Sequence, residues 1–161
     1  MSTTNGADPV APSPDAPRLG DLPGVRILSA SWLSTAAFTA TAVGDRVGVD
    51  ALELPATLTA LALFAAGFVV WLIAFARAVG RSRTDEITLS GLFFLVGSAP
   101  RPIQVQLLGS LAVAVVVAGA TASAAPFGVL EPVFPLALVG LWGARHGEFG
   151  PRRTPAERPR R

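Results

Sequence analysis

The chain has 161 residues, 51% of them hydrophobic, and a mean hydropathy of +0.53. That is long enough for one compact unit and too apolar for an ordinary soluble domain. All 13 basic residues are Arg, net charge is +2 and cysteine is absent. Disulfides, thiol nucleophiles and thiolate metal sites are therefore excluded, and Arg runs beside apolar segments without interleaved aromatics point to membrane orientation instead of nucleic-acid binding.

Residues 1–24 hold five prolines among Ser, Thr, Asp and Ala. Such a mixture buries too little apolar surface to offset its ordering entropy, so a disordered cytoplasmic tail is expected. From Ile27 a softly apolar stretch runs on to about residue 48, diluted by Ser29, Ser31, Ser34, Thr35, Thr39 and Thr41. These hydroxyls can bond to carbonyls of the preceding turn, so the stretch is tolerable as a first transmembrane helix. Ala36, Ala40, Gly44 and Gly48 recur every fourth residue, which predicts a packing face made of small side chains. Ala40-Thr41-Ala42 also has the small residues of a signal cleavage site, behind Arg26 and an apolar stretch. The uncleaved helix is the expectation, because the preceding tail is long and acidic.

Asp45, Arg46, Asp50 and Glu53 make a short outer turn before the most apolar segment, residues 54–77, with no charge from Leu54 to Ala76. These 23 residues would extend about 35 Å as a helix, enough to cross a hydrocarbon core of about 30 Å. Ala62, Ala66 and Gly67 form a small patch on it, and Trp71 suits an interfacial aromatic belt. Arg77, Arg81 and Arg83 follow, marking the cytoplasmic end and candidate contacts to lipid headgroups. Ser82 and Asp85 have the spacing of a capping box. The apolar run between residues 86 and 100 is too short to span and is expected to lie along the cytoplasmic interface, with a short hairpin as one possible form.

Residues 103–122 are again uncharged and long enough to cross. Gln106, Ser110, Ala114, Ala118 and Ala122 are four apart, predicting a second narrow packing face, while Gln104 projects elsewhere. The last span is expected over 127–143. It contains Glu131 in Glu131-Pro132-Val133-Phe134-Pro135, a carboxylate about one turn inside and two residues without backbone donors. Two readings of Glu131 compete. It can be a solvent-facing cap on a helix starting at Pro132. It can instead be an intramembrane polar group, costing about 2.5 to 3.5 kcal/mol at full depth and so needing a partner. Arg46 is the outer Arg available to pair with it. Residues 147–161 form a basic cytoplasmic tail in which Arg152 and Arg153 are further headgroup contacts. His146, with Glu148 nearby and no Cys, is expected to be interfacial and not a metal ligand.

The fold class that follows is an all-α integral membrane protein: four transmembrane helices within 25–146, an interfacial element between helices two and three, and both termini cytoplasmic in the cell membrane. The block from Arg83 to Arg153, with DEITLSGLFFLVGSAPR, LLGSLAV and LWGARHGEFGPRR, resembles small multi-span membrane proteins of actinobacteria without an established activity. It covers the latter half of the chain and implies a source, not a chemistry.

No P-loop, G-x-S-x-G, H-E-x-x-H or dinucleotide fingerprint is present, so an enzyme is the least supported class and no cofactor or metal is implied. The expected partners are the lipid bilayer and a membrane protein or second copy of this chain. The expected function is an accessory or scaffolding component of a membrane complex. A small homo-oligomeric transporter or channel is the alternative, its path lined by helix-one hydroxyls, Gln106 and Glu131.

Overall fold

A computed structural model describes residues 23–151, which form five helices: α1 (Val25–Arg46), α2 (Glu53–Arg81), α3 (Leu89–Phe93), α4 (Arg101–Thr121) and α5 (Val133–His146). Short 3-10 turns at Asp50–Leu52 and Pro126–Leu130 lead into α2 and α5. Among the described residues there is no strand, only an isolated bridge between Asp85 and Pro151. Four helical segments are long and apolar enough to cross a membrane: Val25–Arg46, Asp50–Arg81, Arg101–Thr121 and Pro126–His146.

Prolines mark where helices begin. Pro102 lies in the first turn of α4, and Pro132 and Pro135 occupy the N-cap and third position of α5. Backbone donors there have no partner within the helix, so losing them disrupts nothing. Leu136 N is the first α5 donor to reach a carbonyl four residues back, that of Pro132.

The last helix is the most central. α5 packs on α1, α2, α3 and α4, and 61% of its candidate span is buried against 17% for that of α2. α2 meets α5 closely because Gly67 is opposite Phe134: a Cβ on Gly67 would lie 2.8 Å from Phe134 Cα. Ala60, Ala74 and Ala78 continue the small buried side of α2. One core cluster joins Ile27, Leu28, Ile103, Leu107, Val139 and Trp142, and a second joins Phe38, Ala42, Ala60 and Ala118.

Both ends of the described segment and the 82–100 connection gather at one end. Trp142 Nε1 donates to Pro23 O at 2.9 Å, and Glu148 N donates to Ser98 O. Arg26, Arg77, Arg81, Arg83, Arg101 and Arg145 are at or beside this end, while Arg46, the remaining described Arg, is at the other.

Residues 86–100 are neither a hairpin nor a long helix. Thr88 Oγ1 accepts from Gly91 N and caps the one-turn α3. Leu95 then adopts a left-handed φ of 57° and is fully buried, while Phe94 and Val96 remain exposed. That backbone conformation is costly for a branched side chain, and burial of Leu95 against the core offsets it. Gln104 Nε2 holds the segment by donating to Leu95 O and Ala99 O.

Several sequence expectations are corrected. Ala36 and Ala40 face outward, and Gly44 closes instead on Leu52 of the following turn. The inward face of α1 carries Ser31, Thr35, Phe38 and Ala42, since hydroxyls find partners inside the bundle. Ala62 and Ala66 are exposed as well, with Gly67 alone of that patch buried. Ser82 and Asp85 start no helix; α2 runs to Arg81, and Ser82 Oγ donates back to Val79 O. Residues 147–151, expected as the start of the basic tail, are held against the body. The expected tail over 1–24 falls almost wholly outside the described residues, as do Arg152 and Arg153.

Candidate functional site

Glu131 joins the 3-10 turn Pro126–Leu130 to α5. The turn packs on α2 and α4, and Gly128 within it lies against the Phe38 ring, where an added Cβ would be 3.2 Å from Cζ. A chain turning this tightly into a crowded interface carries the next side chain inward. Glu131 has 0% exposure, and neither carboxyl oxygen has a hydrogen-bond partner. The solvent-facing cap is therefore overturned: α5 starts after Pro132, as that reading had it and later than the expected 127, but the carboxyl before it points away from water.

The proposed partner is not there either. Arg46 is exposed at the end of α1, and the ion pair found among the described residues is Arg81 with Asp85. A buried ion without a partner costs several kcal/mol, and nothing in the described chain offsets that at Glu131. It is the one buried polar side chain whose terminal atoms are left unsatisfied among the described residues.

Buried hydroxyls, by contrast, are all engaged. Ser34 Oγ donates to Ser31 O, Ser110 Oγ to Leu107 O and Thr121 Oγ1 to Val117 O. Ser31 Oγ and Ser110 Oγ are 2.6 Å apart, joining α1 to α4. With Ser110's proton directed to Leu107, Ser31 donates this bond. Such hydroxyls hold helices together and leave few donors to line a water path.

Ser110, Ala114 and Ala118 are buried along one side of α4. Gln106, next in that row, is half-buried and accepts from Trp32 Nε1 at 2.8 Å. Arg77 and Arg83 are exposed and free to meet phosphate groups, but Arg81 has a different task. Its Nε and Nη2 bind Asp85 Oδ2 at 3.0 and 2.8 Å, Nη1 donates to Ala144 O, and Nη2 to Gly147 O. Phe149 lies under the guanidinium, its ring centroid 5.3 Å away. Arg81 thus neutralises the exposed carbonyls at the end of α5 and clasps α2 to it. His146, exposed, has its ring 5.6 Å from that of Trp142.

No family model, curated protein or solved structure matches the chain. Among the described residues no three His, Asp or Glu side chains gather as a metal site would need.

The Ser31–Ser110 contact, the Gln104 brace and the Arg81 clasp were not singled out from the sequence. Ser31, Thr35, Phe38 and Ala42, spaced four, three and four, were the available signal for the first. The other two join residues through folded loops, and only the i, i+4 pair Arg81–Asp85 leaves a local pattern.

Proposed function

We propose that this chain is an accessory or scaffolding component of a membrane complex, crossing the bilayer four times with both termini cytoplasmic. The observation that carries this reading is the set of small side chains turned outward: Ala36 and Ala40 on α1, Ala62 and Ala66 on α2. Small residues at exposed positions of a span permit close approach by another helix, which is where membrane-protein interfaces concentrate them. The orientation is supported by six described Arg residues lying at or beside one end of the bundle and one at the other.

Purification in mild detergent tests the assignment. A stoichiometric membrane partner should accompany the chain and be lost in Ala36→Leu/Ala40→Leu or Ala62→Leu/Ala66→Leu variants. A chain that purifies alone, with all variants alike, would reject it. Cysteines placed at Asp50, Ser82 and Ser123 test orientation: an impermeant reagent outside intact cells should label 50 and 123 and spare 82.

A second reading, a small homo-oligomeric transporter, is favoured by Glu131, because unpaired carboxyl groups inside spans mark ion and proton paths. Reconstituted chain should then dissipate an ion gradient in liposomes, and Glu131→Gln should abolish the leak.

A further inference from the structure

Between the second half of α2 and the 87–93 segment lies a groove of about 220 Å³, lined among others by Trp71, Phe75, Val79, Ser82, Thr88 and Phe93. We infer that this groove holds one acyl chain of a phospholipid from the cytoplasmic leaflet, with the lipid phosphate at Arg83. The inference rests on the membrane reading above.

Shape and polarity choose the occupant. The groove follows α2 from Trp71 to Ser82, eleven residues or about 16 Å, so it lies along the helix and therefore along the direction of lipid chains. At about 220 Å³ over that length it is too small to take in a helix, whose diameter with side chains is about 10 Å. Its deep end is aromatic, with Trp71 and Phe75 stacked at 5.6 Å and 10°. Its other end carries the hydroxyls of Ser82 and Thr88, and exposed Arg83 follows directly. An apolar slot ending in hydroxyls, with an exposed Arg next in the chain, matches a phospholipid in order and charge. Arg81 does not compete, since its donors serve Asp85, Ala144 and Gly147. Val79 and Leu89, half or more exposed on the groove walls, keep it open to the side from which a lipid enters.

Quenching of tryptophan by chain-brominated phosphatidylglycerol, present as a minor fraction in phosphatidylcholine vesicles, tests this. Trp32→Phe/Trp142→Phe leaves Trp71 as the reporter; Trp71→Phe/Trp142→Phe leaves Trp32, exposed on α1 in the same half of the bundle, as the reference. Trp71 should be quenched about twofold more than Trp32, because a retained lipid contacts it more often than its share of the bilayer allows. Val79→Phe, which fills the groove, and Arg83→Gln should each return Trp71 to the Trp32 level. Equal quenching of the two reporters would overturn the lipid site while leaving the membrane reading intact. Quenching of neither would overturn both. If the tryptophan variants fail to fold, native mass spectrometry of the unaltered chain decides: one phosphatidylglycerol should be retained and lost on Arg83→Gln, and no retained lipid would reject the site.

Discussion

Ser31 Oγ and Ser110 Oγ meet at 2.6 Å inside the α1–α4 interface, although 79 residues separate them in the chain. Interhelical bonds of this kind are worth about 0.6 kcal/mol on average and up to about 1.7. Ser31→Ala and Ser110→Ala should each lower stability in detergent, and the double variant should lose less than their sum. Additive losses would show that the two hydroxyls do not interact.

Gly67 sets the distance between α2 and α5. Because a Cβ there would lie 2.8 Å from Phe134 Cα and 2.9 Å from its N, the neighbour that must yield is backbone and cannot rotate away. Gly67→Ala should cost about 1 to 3 kcal/mol, the usual range for overpacking. Ala62→Leu, on the exposed side of the same helix, should leave the isolated chain's stability unchanged. Equal melting temperatures for both variants would contradict the packing.

Glu131 offers a sharper contrast. Neither of its carboxyl oxygens has a partner, and Arg46 is exposed. Replacing Glu131 with Met therefore strands no charge and should leave stability equal or raised by a few kcal/mol. The cycle of Glu131→Gln with Arg46→Gln should show coupling near zero. A coupling of about 2 kcal/mol or more would restore the ion pair that the geometry lacks.

Arg81 is predicted to matter through shape as well as charge. Its planar fork serves Asp85, Ala144 O and Gly147 O together, which an ammonium cannot do. Arg81→Lys should lower stability by about 1 to 3 kcal/mol, and Arg81→Gln by more. Hydrogen exchange of the 147–150 segment should rise in both. Protection unchanged in Arg81→Lys would mean that charge alone suffices.

The lengths of the apolar stretches made the four long helical segments legible, but the last was expected from 127, whereas α5 proper begins only after Pro132. The azimuth of α1 was not legible in the same way. Where both lipid and core are apolar, hydropathy does not tell inside from outside, and the Ala36–Ala40 row and the Ser31–Thr35 row are both small enough to pack. Hydrogen bonding decides between them, and Ser110 is brought to Ser31 only by folding. Burial of Glu131 depends likewise on the 3-10 turn before it, which seats Gly128 on Phe38. The Arg81 clasp joins residues 63 and 66 positions apart, so charge spacing along α2 suggested a headgroup contact instead.

The central position of α5 also bears on how the molecule is made. Ribosomal synthesis is directional, so the helix that touches α1, α2, α3 and α4 is the last of them to emerge. Until it arrives, the notch at Gly67 has nothing to close on, although α1 and α4 can already meet through Ser31 and Ser110. The nascent protein therefore passes through a stage in which α1 to α4 lack their central helix, and Glu131 becomes buried only when α5 docks. Truncation before Phe127 would leave that intermediate permanently unfinished, with the Gly67 notch and the core side of α2 uncovered.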